Sequence, residues 1–152
     1  MSDVMDRVSE ASQDGMLLAA RVAMAVLYLP SGFLKLTHLS SFAAGLAQHG
    51  VPFAAELAAL GAGVEFFGAL LILTGTRLRW AALLMVAFTA VAALISHRFW
   101  ELSGAARAPQ EVQFMKNVAI VGGFLALFVA GPGAFSVDRW LTHRLSFARR
   151  WR

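Results

Sequence analysis

The sequence predicts an all-α, polytopic membrane four-helix bundle with a short interfacial helix in its first outward loop and an amphipathic basic C-terminal tail. Three observations carry that prediction. Of 152 residues, 59% are hydrophobic and only 14% charged, and the mean hydropathy is +0.66, more apolar than a water-soluble domain of this length can hide in a core. Four apolar runs, Met16 to Leu34, Leu57 to Leu73, Trp80 to Ile95 and Phe114 to Ala130, each approach the ~20 residues that a ~30 Å hydrocarbon core requires. The third observation is Glu65, near the middle of the second run. A carboxylate at bilayer depth costs about 2.5 to 3.5 kcal/mol, so such groups face a bundle interior, a cavity or a cation.

Taken in order, the spans fall at about 16–34, 55–74, 79–97 and 114–131 of a single membrane domain covering 1–152. Asp3, Asp6, Glu10 and Asp14 precede the first run in place of a basic segment, and no small-residue cleavage site follows it, so it reads as a retained span and not as a signal peptide. Arg21, Ala25, Tyr28, Gly32 and Lys35 recur at i, i+4, i+7, i+11 and i+14, one helix face that should look inward. Pro30 removes a backbone donor and frees the carbonyl of Val26, which predicts a kink beside Tyr28. In the next loop Leu39, Phe42, Ala43 and Leu46 are spaced as a helix that closes at Gly50 and Pro52.

On the second span Gly61, Glu65 and Gly68 share a face, where glycines would let a neighbouring helix approach the carboxylate. Thr74, Gly75 and Thr76 before Arg77 end it in a tight turn, making spans two and three antiparallel neighbours. Span three offers Thr89, Ala93 and His97 on one face. Span four opens with Gln113, Lys116 and Asn117, thins at Gly122 and Gly123, and stops at Gly131-Pro132-Gly133. The tail, 138–152, interleaves Trp140, Leu141, Leu145 and Trp151 with Arg139, Arg144, Arg149, Arg150 and Arg152, as a helix lying on a membrane face would.

Charge sets the expected orientation and excludes several functions. The side with both termini and the turn between spans two and three carries eight Lys and Arg residues, and the other side four, Lys35, Arg98, Arg107 and Lys116. The positive-inside rule then puts both termini in the cytoplasm of a bacterial inner membrane. Trp80 and Trp140 fall at the inner boundary and Trp100 at the outer one, as interfacial anchors. Without cysteine there is no thiol relay, disulfide, iron–sulfur cluster or thiolate zinc site. The basic tail directly after a span points to anionic lipid and not to nucleic acid.

The polar residues of the spans converge on an outward-opening pocket. Lys35, His97 and Lys116 gather at its mouth, and a network from Arg21 or Tyr28 to Glu65 is expected at its floor. Glu65, exchanging protons, and His97 are the catalytic candidates; Arg21, Tyr28, Lys35, Lys116 and Asn117 are the ligand-binding candidates. No metal set is expected, because His38 and His49 lie in a loop without ligand spacing. Structural readings stand beside these: a buried ion pair that fixes helix register, lysines that anchor span ends and an interfacial histidine.

The ordered set Arg21, Gly32-Phe33-Leu34-Lys35, Gly50-Val51-Pro52, Glu65-Phe66-Phe67-Gly68, Arg77 with Arg79, His97-Arg98-Phe99, Lys116-Asn117, Gly122-Gly123 and Gly131-Pro132-Gly133 through Ser136 and Asp138 resembles the DoxX family of small bacterial inner-membrane proteins. The resemblance covers roughly Leu17 to Trp140. It implies a four-helix membrane bundle and, for activity, links to quinone-coupled sulfur oxidation, quinone resistance and oxidative-stress assemblies.

The expectation is a membrane subunit or accessory of a quinone-linked redox system, with no intrinsic cofactor and a quinone as ligand. Donors at the pocket mouth would stabilise charge developing on a quinone carbonyl, Glu65 would exchange protons, and electrons would come from a membrane or soluble redox partner. The residues leave open whether the chain is itself an enzyme. The rival reading is a non-catalytic scaffold whose polar core is structural; a small transporter fits four spans only in a homo-oligomer.

Overall fold

The computed structural model describes residues 2–149, with side chains described for 12–142 and 144. Six helices follow one another: α1 (Ser2–Thr37), α2 (Leu39–Gln48), α3 (Ala54–Thr74), α4 (Leu78–Ser96), α5 (Arg107–Ala130) and α6 (Val137–Arg149), with short 3-10 turns at Phe99–Glu101 and Gly104–Ala106. No strand occurs among the described residues. Four stretches, Ser12–Thr37, Ala54–Thr74, Leu78–Glu101 and Gly104–Ala130, are long and apolar enough to cross a membrane. The expected interfacial helix is α2. Two helices outrun their apolar runs, because hydrogen bonding continues where hydropathy stops: α1 begins well before Met16, and α5 begins at Arg107. α1 also continues unbroken through Pro30.

The helices pack as α1 on α3, α3 on α4 and α4 on α5, with α2 laid on α3. Small buried side chains, Ala25, Ala58, Ala62, Ala69, Ala81, Ala82 and Ala93, line these seams. That is how helices associate in lipid, where close backbone approach replaces the hydrophobic drive of water. Tyr28, Ile72, Leu78, Met85, Phe124 and Leu127 form the larger core. Val26, Leu60, Phe67, Val91 and Val129 stay exposed on the outside, as a lipid-facing surface requires.

α1 and α5, at the two ends of this row, close only one half of their shared seam. Toward α6, Met24 lies against Gly123, and Tyr28 packs on Phe124 with ring centroids 5.7 Å apart. Toward α2 the two helices part. The bundle therefore has a closed end carrying Arg77, Arg79, Arg139 and α6, and an open end carrying α2 and the 3-10 turns. Trp80 and Trp140 stand exposed at the closed end and Trp100 at the open one. Arg144 stacks over Trp140 at 4.7 Å on α6; the side chains of Leu145, Arg149, Arg150, Trp151 and Arg152, like those of Asp3, Asp6, Arg7 and Glu10, lie outside the described residues.

A polar cavity in the open half of the bundle

Glycine at position 32 sets the geometry of the site. A β-carbon there would lie 2.8 Å from the backbone nitrogen of Phe66, so only glycine allows α1 and α3 to cross this closely. One turn beyond Gly32, the crossing delivers Lys35 to Glu65. The ammonium donates to Glu65 Oε2 at 2.5 Å; the carboxylate side chain is 3% exposed and the lysine 31%. A charge inside the bilayer thus has a counter-charge, the condition that its depth imposes. Glu65 Oε1 makes no hydrogen bond, yet no described buried polar atom lacks a partner, so Oε1 is accessible from the cavity that the residue lines.

That cavity, about 430 Å³, fills the gap between α1 and α5. Six of the seven residues singled out from the sequence, Tyr28, Lys35, Glu65, His97, Lys116 and Asn117, lie on its wall. Its floor is the buried pair of Tyr28 and Thr89, hydroxyls 2.7 Å apart, packed on Phe124. At the mouth, His97 Nδ1 meets Gln110 Oε1 at 2.9 Å, which fixes the ring between α4 and α5 and leaves Nε2 for other contacts. Asn117 donates to the Gln113 carbonyl at 2.9 Å, one turn back on its own helix. Lys116 is exposed and has no ion pair among the described residues. Among these residues no three His, Asp or Glu side chains come together to hold a metal ion. The wall offers hydrogen-bond donors above and a carboxylate beside them.

Arg21 departs from the sequence expectation. It does not meet Glu65 and does not line the cavity. Buried at the closed end, it donates to Ile72 O at 3.1 Å, Leu73 O at 2.7 Å and Pro132 O at 2.6 Å. Ile72 and Leu73 are in the last turn of α3, where the helix dipole is negative and carbonyls run short of helical donors; Ile72 O also accepts from Gly75 N–H at 3.2 Å, and the guanidinium supplies the rest. Gly75, with φ +68°, completes that cap, and a β-carbon there would lie 3.0 Å from Arg21 Cζ. Tyr28 likewise bonds Thr89 and not Glu65. The register of α1 on α3 decides both: it places Arg21 opposite residues 72 and 73, about 10 Å of helix rise from Glu65.

Gly61 and Gly68, expected to admit a helix backbone beside Glu65, face only side chains: Gly61 the Phe42 and Phe88 rings, 3.8 Å from where a β-carbon would lie, and Gly68 the Met85 thioether of α4. Ser31, Ser96 and Gln110 are polar members of the site that sequence reading passed over. Ser31 lies one turn before Lys35 and Ser96 two turns after Thr89, so the periodicity that marked those faces also marked the serines. Gln110 carried no such mark, because it precedes the apolar run.

The comparisons with known proteins agree with this architecture. The DoxX family model matches residues 16–98. Inner membrane protein YphA of Escherichia coli K12 is 35% identical over 85% of this chain and 92% of its own length. Inner membrane protein YqjF of the same organism is 37% identical over 87% of this chain and 96% of its own length. No solved structure matches significantly. Four apolar helices and inner-membrane relatives make this a multi-pass inner-membrane protein in contact with the bilayer. By both family match and relatives, the chain is a member of the DoxX family.

Proposed function

We propose that the protein is the quinone-binding membrane subunit of a redox or oxidative-stress system, and that the cavity between α1 and α5 takes the quinone headgroup. The observation that carries this reading is the wall itself: Lys35, Lys116, His97 and Tyr28 beside Glu65 in one intramembrane space of about 430 Å³. A quinone ring presents two carbonyl acceptors. Lysine and imidazole donors stabilise the negative charge that develops on them, and the Glu65 carboxylate on the cavity wall is placed to pass protons. Reduction to the quinol takes two electrons and two protons; the electrons come from a redox partner protein, and Glu65 with His97 relays the protons.

Both termini face the cytoplasm in this reading, supported by the arginine-rich closed end, so the cavity opens outward. Alkaline phosphatase activity from a fusion after Trp151 would contradict it. The basic tail binds anionic lipid through its arginines and Trp140; a peptide of residues 138–152 that bound neutral and anionic vesicles alike at physiological salt would overturn that.

The scaffold reading has one observation in its favour: no described buried polar side-chain atom lacks a partner, so the bundle needs no ligand to satisfy it. Equilibrium binding of a water-soluble benzoquinone to the purified protein in lipid nanodiscs separates the two. The quinone reading expects one site, weakened at least tenfold in Lys116→Met and in Glu65→Leu combined with Lys35→Met. Absence of saturable binding, or affinity untouched by these variants, leaves the scaffold.

A further inference from the structure

A second cavity, about 320 Å³, lies under α2, and its wall is polar only at Lys35 and Ser96. It adjoins the first, for Lys35, Phe88, Ala92 and Ser96 line both. Along α4 it runs from Leu84 to Ser96, about 18 Å of helix rise. Leu57, Leu60, Leu84 and Val91 are exposed along it, on the surface that meets bilayer hydrocarbon. Gly61 leaves part of its wall bare: a β-carbon there would come only within 3.8 Å of the Phe42 and Phe88 rings. Lys35 sits at the junction, paired with Glu65 on one side and 5.1 Å from the centre of the Phe42 ring on the other.

We infer that the ligand is an amphiphile, a quinone on an isoprenoid tail, that enters sideways from the bilayer beneath α2, and that its tail occupies this apolar groove while its headgroup passes Lys35 into the polar cavity. The inference rests on the quinone reading and adds the ligand class and the route. A headgroup cavity alone would serve a water-soluble ligand entering at the mouth. A groove with almost no polar atoms, set beside that cavity with Lys35 on the wall of both and open to lipid, matches a hydrocarbon chain, which loses no hydration on leaving one apolar surroundings for another. Lys35, able to donate toward either space, is where a carbonyl crossing between them keeps a hydrogen bond.

Two probes in lipid nanodiscs test this: a benzoquinone with two isoprene units and a diazirine at the tail end, and the same ring without a tail. In the parent protein, photolabelling concentrates on Leu57, Leu60, Leu84 and Val91 and is suppressed by excess unlabelled tailed quinone. Gly61→Leu fills the groove with a residue that helices accept better than glycine. It lowers that labelling at least tenfold while affinity for the tail-less ring stays within twofold. Labelling spread over Val22, Val26, Leu125 and Val129 overturns the inference while tail-less binding keeps the cavity reading intact. A phospholipid held in the groove that excess tailed quinone does not displace also overturns it. If neither quinone binds, the cavity reading fails and this inference falls with it.

Discussion

Replacing Lys35 with methionine keeps much of the side-chain volume and removes the only cation that touches Glu65 among the described residues. The carboxylate, 3% exposed, is then left in the bundle without a counter-charge. Breaking a buried pair from one side costs about 3 to 5 kcal/mol, whereas replacing both members with apolar residues is often neutral or stabilising. Lys35→Met should therefore destabilise by about 3 kcal/mol or more, and Glu65→Leu on top of it should restore most of the loss. The assay is reversible unfolding of the four proteins of the cycle in bicelles, with a coupling energy of about 2 to 3 kcal/mol expected between the sites. The parallel cycle of Arg21→Met with Glu65→Leu should be additive within about 0.5 kcal/mol, since Arg21 reaches α3 seven residues away. Additivity at 35 and 65, or strong coupling at 21 and 65, would refute the pairing argued here.

Substitutions at Arg21, Gly32 and Gly68 test the scaffold around the site. Arg21→Met leaves Leu73 O and Pro132 O without their shared donor, while Ile72 O keeps the Gly75 N–H, and should cost about 3 kcal/mol, because unmet buried acceptors each cost about 1 to 3 kcal/mol; Arg21→Lys, with fewer donors in a different geometry, should recover only part of it in the same unfolding assay. Gly32→Ala should cost about 1 to 3 kcal/mol and weaken quinone binding, as the new methyl meets Phe66 backbone and pushes Lys35 off Glu65. Gly68→Ala meets only the flexible Met85 thioether and should be nearly neutral in both stability and binding; equal effects of the two alanines would contradict the close-crossing role of Gly32.

Much of this molecule was legible because the bilayer imposes simple periodic rules. The face predicted for α1, Arg21 to Lys35, is the face that turns inward, with Ala25, Tyr28 and Gly32 buried between them. Thr89 and His97 line the cavity, with Ala93 buried between them, for the same reason. Depth along one helix could be counted, but the register between two helices could not. Arg21 and Lys35 lie on one face at opposite ends, and either could have reached Glu65 by depth alone. The choice was made by Gly32, whose close crossing with Phe66 sets which turn of α1 lies beside which turn of α3. A C-terminal helix turn with Gly75 also needs donors for its last carbonyls, and Arg21 is the buried cation within reach. The apolar groove under α2 was not legible, since a lining of Leu, Val and Phe reads the same whether it packs or stays open.

Native mass spectrometry of the protein released from its own membrane in mild detergent reads what the cavity between α1 and α5 holds. A stoichiometric quinone is expected on the parent protein, absent from Lys35→Met combined with Glu65→Leu while that variant stays folded. A parent protein that comes off the membrane free of quinone, together with a double variant that fully restores oxidant tolerance to a deletion strain, would contradict the quinone reading.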